Sequence, residues 1–328
     1  MAHEITIRED GKAEMAFIGS RSAIWHGLGQ ELPENASIEV WMREAGLDWE
    51  VLESLVKYEA FNGSEVKSCV YPDRKCLFRS DTLAPLSIVG QDFKVVQPGE
   101  VLEFFRDLVS SHGMRLSTAG SLFGGKRFWA LAETGKNDSV VRGDEVKGHL
   151  LLTTAVDGTL ATTAKFVSTR VVCNNTLSIA MSEDSKNMVK KTHKTVWDAS
   201  QVKIDMGLID SAWNRFMENL RALGKVEMTD KQVREFYQAE FFNPKLAAND
   251  QKWGAVKCVD DLMRLYANGA GAEMTRGTAW GALNAITERY THGSGKRDAS
   301  HQFWDAYYGK CDNVKNKALN DLLALAAA

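Results

Sequence analysis

The patterning of the apolar residues in this chain of 328 residues becomes helical throughout after about residue 200. Before that point, short alternating stretches are separated by turn signals. After it, apolar residues recur every three or four positions. Successive side chains of a strand point to opposite faces, whereas a helix returns to the same face after about 3.6 residues, so the two parts obey different geometries. The reading is an α+β chain: an antiparallel sheet with hairpins and packed helices over 1–200, followed by an all-helical region over 201–328.

Within the first part, residues 1–36 read as irregular. Ser37 is placed to cap a short helix that stops at Gly46, and "PGEVLEFFRDLVSSHG" from Pro98 to Gly113 has helical spacing with Pro and Glu in its first turn. Between them lie "DWEVLESLVKYEAF", "SEVKSCVY", "KCLFRSD", "PLSIVG" and "FKVVQ", read as strands with turns at Asn62-Gly63, Pro72-Asp73 and Gly90. Two hairpins follow: "MRLSTAGSL" with "KRFWALAET" through Gly124-Gly125, and "EVKGHLLLTTAV" with "TLATTAKFV" through Asp157-Gly158. Asp-Gly predicts a type I′ turn, which needs positive φ at both central residues. A helix is expected over "NTLSIAMSEDSKNMVKK", capped by Asn174, Asn175 or Thr176. In the second part about six helices are legible, one opened by Thr229 and Gln232 in capping-box spacing.

The net charge of -3 excludes a protein that is basic all over, but not one with a basic face. Five cysteines are scattered without a C-x-x-C pair, which fits reduced thiols in a cytosolic protein better than a disulfide framework. The first residues, "MAHEITIREDGKAEMAF", are acidic and lack the apolar core of a signal peptide, and no run approaches the ~18 apolar residues of a membrane span. The expectation is a soluble chain in the cytoplasm, away from membranes.

Several motifs fail on inspection. "GSLFGGK" at 120–126 follows the phosphate-loop pattern for seven positions, but Arg127 stands where Ser or Thr should hold magnesium. The alternating "FWALAE" that follows reads as a strand, so the glycines belong to a hairpin turn. The seven histidines include no i, i+4 pair and none stands beside a cysteine cluster, no G-x-S-x-G elbow occurs, and Asp260-Asp261 diverge on a helix face. Neither a catalytic set, a metal site nor a cofactor is expected.

What remains is a basic stripe within the region from Lys126 to Lys203. It holds Lys126 and Arg127 beside Phe128 and Trp129, then Lys165, Arg170, and Lys186, Lys190, Lys191 and Lys194, with neither Asp nor Glu from 185 to 197. Cations track a phosphate backbone, and neighbouring aromatic rings stack on unpaired bases. The bland alternative is a solvated face whose aromatics alternate into the core.

"WHGLG", "AGSLFGGKRFWALAE", "TRVVCNNTL" and "GTAWGALNAITERYTHG" occur in order from Trp25 to His292. In these words the chain resembles the phage/plasmid-like family known as domain of unknown function 932. The resemblance implies a protein of bacteriophages, prophages and plasmids, departing from the family at Thr291, where an Asp is common. The order hairpin, strand, long helix also resembles the core of ring-forming single-strand annealing proteins, an analogy of fold alone. The expected function is a non-enzymatic DNA-binding protein of a mobile element, acting on single-stranded DNA in annealing, recombination or replication, as a homo-oligomer. The alternative is an accessory or anti-defence protein that binds a host protein or a small ligand.

Overall fold

The computed structural model of the chain describes residues 5–19, 28–172, 175–178, 188–195, 198, 209–293 and 305–327. In chain order the first part contains β1 (Met15–Ile18), β2 (Gln30–Leu32), α1 (Ile38–Glu44), β3 (Val51–Phe61), β4 (Val66–Arg79), β5 (Pro85–Gly90) and α2 (Pro98–His112). It continues with β6 (Arg115–Leu122), β7 (Arg127–Ser139), β8 (Glu145–Ala155), β9 (Thr162–Arg170), β10 (Asn175–Ser178) and β11 (Met188–Lys191). The larger sheet has the order β10-β9-β8-β7-β6-β1-β2, with β11 also on β9, and a smaller sheet has the order β3-β4-β5. Pairing is antiparallel throughout the registered pairs except β1 with β2. The second part is helical: α3 (Ile209–Lys225), α4 (Asp230–Phe241), α5 (Trp253–Asn268), α6 (Ala272–Thr275), α7 (Ala279–Glu288) and α8 (Lys310–Ala327). The expected α+β class stands.

The chain divides into two compact units whose segments interleave. One consists of 1–135, 150–165 and 188–207, the other of 136–149, 166–187 and 208–328. The boundary expected near 200 falls on residues outside the described set.

In the first unit Ser37 Oγ accepts the Val40 N–H, which starts α1. In α2, Gln97 and Glu100 form a reciprocal capping box, Pro98 occupies the first turn where its missing N–H costs nothing, and Gly113 at φ 64° closes the helix. The apolar face of α2, with Val101, Leu102, Phe104 and Phe105, is buried. A salt bridge crosses this core: Glu14 of the segment before β1 accepts Arg79 Nη2 of β4 at 2.7 Å, with both side chains almost wholly buried. Arg79 also donates to Asp81 and lies over the Trp49 ring, 4.1 Å from its centroid, while Ser121 Oγ donates to Glu14. A buried pair of this kind is tolerated only when its remaining lone pairs and protons are satisfied, as here.

In the second unit α7 is buried along its whole length, from Ala279 to Thr287. Its sequence "AWGALNAIT" is apolar on nearly all sides, which suits a helix surrounded by others. It packs against α3, α5 and α8. Tyr237 reaches in from α4 to donate to the Ala282 carbonyl at 2.9 Å, and burial pushes its phenol pKa well up.

Several local expectations are corrected. The helix expected over 175–191 is a strand at each described end, β10 and β11, and 179–187 lie outside the described residues. The edge of β9 away from β8 needs backbone partners, and β10 and β11 supply them along its two halves. Residues 1–36 are not simply irregular, because β1 pairs with β6 and β2 pairs with β1. Pro72-Asp73 does not divide two strands: β4 runs through it, with Asp73 at φ 57° and a register shift against β3. "FKVVQ" is not a strand. The Asp157-Gly158 hairpin is real but not type I′, since only Gly158 has positive φ, 74°, and six residues separate β8 from β9.

Candidate nucleic-acid interface

Two turns of the first unit meet at one end of its sheet. The β6–β7 turn holds three successive residues at positive φ: Phe123 at 58°, Gly124 at 69° and Gly125 at 91°. Gly125 has a second reason to lack a side chain, since a Cβ there would lie 2.8 Å from the Trp49 ring. The phosphate-loop pattern is therefore a hairpin turn, as read. In the β8–β9 connection, Asp157 Oδ1 accepts the Thr159 N–H at 3.0 Å and the Thr159 hydroxyl at 2.5 Å, a side-chain-closed turn. The turns are joined where the Val156 N–H donates to the Lys126 carbonyl and Arg127 Nη2 donates to Thr159 Oγ1 at 3.1 Å.

β11 brings the third component. Lys190 and Lys191 stand opposite Thr163 and Thr162 of β9, next to the same connection. The chain then turns at 192–195, and His193 is fixed there from three sides. Its Nδ1 lies 2.9 Å from the Lys94 carbonyl oxygen, its Nε2 lies 3.0 Å from the Leu160 carbonyl oxygen, and its ring stacks on Phe93 at 4.3 Å. Lys94 and Lys194 are exposed beside it.

This end of the unit thus gathers Lys126, Arg127, Lys190, Lys191, Lys194, Lys94 and His193 around residues 156–163. Arg127 lies over the Phe123 ring, 4.7 Å from its centroid, and 3.9 Å from Asp157. Burial is the largest influence on its guanidinium and draws its pKa down, while Asp157 opposes that shift. Arginine remains protonated under any ordinary condition. Asp157 lies within this group, and Asp92 immediately precedes its Phe93–Lys94 segment.

Three residues of the expected stripe lie elsewhere. Trp129 is buried in β7, with Gly120 against its ring, so it is a core residue and offers no stacking face to solvent. Lys165 is fully buried in β9. Arg170, in the second unit, is also buried. Its Nε donates to Asp144 at 2.5 Å, and its other nitrogens donate to the Ala270 and Gly271 carbonyls. Asp144 in turn accepts Trp280 Nε1 at 2.6 Å. Lys186 lies outside the described residues. Burial on both faces explains the split, because β9 is buried at nearly every position and β7 is buried from Phe128 to Ala132.

Phe93, Lys94 and Phe123 were not among the sequence candidates. "FKVVQ" and "SLFGGK" were read as strand and turn, and nothing local indicates that residue 93 meets residue 193. No group of three His, Cys, Asp or Glu side chains among the described residues is placed to hold a metal ion. No described helix is long and apolar enough to cross a membrane.

These features define a mixed α/β protein with largely antiparallel sheets and a helical C-terminal part. Residues 85–308 match the family described as a domain of unknown function, DUF932, and the chain belongs to that family. No curated protein and no solved structure matches it.

Proposed function

We propose that the chain is a non-enzymatic protein that binds single-stranded DNA through the basic end of its first unit, in annealing, recombination or replication of a mobile element. One observation carries the reading: residues from four separate segments, 93–94, 123–127, 156–163 and 190–194, converge on one sheet end rich in cations and furnished with aromatic rings. Phosphates would be met by the lysines and Arg127, and bases by the Phe93–His193 pair and Phe123. Such an arrangement tracks backbone and ring faces rather than base edges, so the reading entails little sequence preference.

Fluorescence anisotropy of a labelled 30-nucleotide single strand titrated with the protein tests it. Binding is expected at ~50 mM salt and should weaken steeply as salt rises, because bound phosphates release counterions. Absence of binding at low salt removes the proposal. A nuclease-insensitive, salt-tolerant association with a host protein would support the accessory-protein alternative instead.

A further inference from the structure

Strand β3 and the first half of β4 form a two-stranded ribbon whose outer part is exposed on both faces. Leu55, Tyr58, Phe61, Val66, Val70 and Tyr71 are each about half exposed or more, with Phe61 at 72%. A two-stranded ribbon wet on both faces is marginal in water, and six large apolar residues on one is unusual. Among the described residues β5 covers β4 only from Arg74 to Phe78, and β3 lies at the edge of its sheet, paired on one side only.

The direction of the free backbone groups follows from two sets of hydrogen bonds. Asn62 N–H donates to the Glu65 carbonyl across the ribbon's turn, so Tyr58 and Ala60, in phase with Asn62, direct their N–H and C=O groups toward β4. Lys57, Glu59 and Phe61 therefore direct theirs outward. At the other end, Val51 presents its N–H and C=O outward to the Gln97 side chain, which is the same phase. The outward-facing residues are thus the odd-numbered ones, and no ion pair joins Lys57 or Glu59 to another described residue.

We propose that this edge pairs antiparallel with the same edge of a second copy, about a two-fold axis at Tyr58. The segment "LVKYEAF", 55–61, reads as its own complement in that register. Lys57 falls opposite Glu59 of the second copy, Leu55 opposite Phe61, Val56 opposite Ala60, and Tyr58 opposite itself. Outward residues meet outward residues, as the hydrogen bonds require. Neighbouring registers fail. An axis at Lys57 or Glu59 sets like charges face to face, one at Val56 opposes Glu53 with Glu59, and one at Ala60 leaves both charges without a partner. An isologous interface uses each pairing twice, so the register gives two cross-strand ion pairs and two Leu–Phe pairs on one face. Two three-stranded sheets become one of six. This inference is independent of the nucleic-acid reading.

Sedimentation equilibrium of the full chain tests it. The wild type is expected to include a species at twice 36.4 kDa. Lys57→Glu and Glu59→Lys should each weaken dimerisation about tenfold or more, and the double exchange should restore it, because the complement is then rebuilt with signs reversed. Both positions are exposed, so circular dichroism should stay native. The register has its own test, in a Cys69→Ser background because Cys69 faces Tyr58 within the ribbon. Tyr58→Cys should oxidise to a covalent dimer on a non-reducing gel. Ala60→Cys, whose two copies would lie roughly 13 Å apart along the strands, should not. A monomeric wild type, a dimer indifferent to the single exchanges, or crosslinking by Ala60→Cys but not Tyr58→Cys would overturn the proposal.

Discussion

Arg170 of β9 and Asp144, in the turn before β8, form a buried ion pair 2.5 Å apart, which Trp280 of α7 completes by donating to the second carboxylate oxygen. Three segments distant in sequence are joined through one carboxylate. Arg170→Ala should destabilise the chain by about 3–5 kcal/mol, because Asp144 would keep Trp280 but lose its counter-charge in the interior. Asp144→Asn should cost less, since the amide oxygen can still accept from Arg170 or Trp280. Urea unfolding monitored by tryptophan fluorescence measures both, and equal losses would show that charge is not what holds the cluster.

Two glycines with similar φ should respond differently to alanine. At Gly125 an added Cβ meets the Trp49 ring and Arg79 Nη1 at 3.0 Å, and the site is backed by the Glu14–Arg79 pair. Gly125→Ala should cost roughly 2–3 kcal/mol through overpacking and strain together. At Gly158 nothing lies within 4 Å, so Gly158→Ala should cost only ~1 kcal/mol of positive-φ strain. Thermal melts of the pair give the comparison directly.

The basic end predicts a salt signature. Replacing Lys190, Lys191 and Lys194 by Ala should weaken single-strand binding for all sequences alike. It should also flatten the dependence of log affinity on log salt by up to about 2, at ~0.7 for each phosphate no longer neutralised. Trp129→Phe should leave both quantities unchanged, since that ring is in the core. A sequence-selective loss in the triple variant would contradict backbone tracking.

Glu288, at the end of α7, gives a pH prediction. Burial raises its pKa above the usual carboxylate value, against the opposing pull of the Ala270 N–H and of Arg170 and Arg264. A raised folded-state pKa means that the folded chain holds the proton more tightly than the unfolded one. The associated stability is therefore present below about pH 4.3 and is lost as pH rises through the folded value. Glu288→Gln should remove this component, lowering stability at pH 4 relative to pH 7 by comparison with the wild type in denaturant titrations. An unchanged pH profile would mean that the carboxyl is not protonated on folding.

The features that the sequence displayed well were those decided within a few residues. The caps of α1 and α4, at Ser37 and at Thr229 with Gln232, and the Pro98-to-Gly113 bounds of α2 depend on hydrogen bonds to the next turn, which the local residues supply. The glycines at 124–125 likewise announced a turn rather than a phosphate loop, because the residues that followed alternated. The spacing in β7 and β9 did not show that both faces are covered there, which buries Trp129 beside Phe128 and Lys165 beside Phe166.

Tertiary structure alone decided the rest. "NTLS" and "MVKK" have no local reason to prefer strand over helix, and the unpaired edge of β9 settles the matter by offering them hydrogen bonds. The meeting of Phe93 with His193, and of Arg170 with Asp144 and Trp280, depends on which strands become neighbours. That choice is made by hydrophobic burial summed over the whole sheet and its helices. Local spacing set most of the elements; the long-range pairing of backbone edges determined which charges are neutralised inside and which are left exposed.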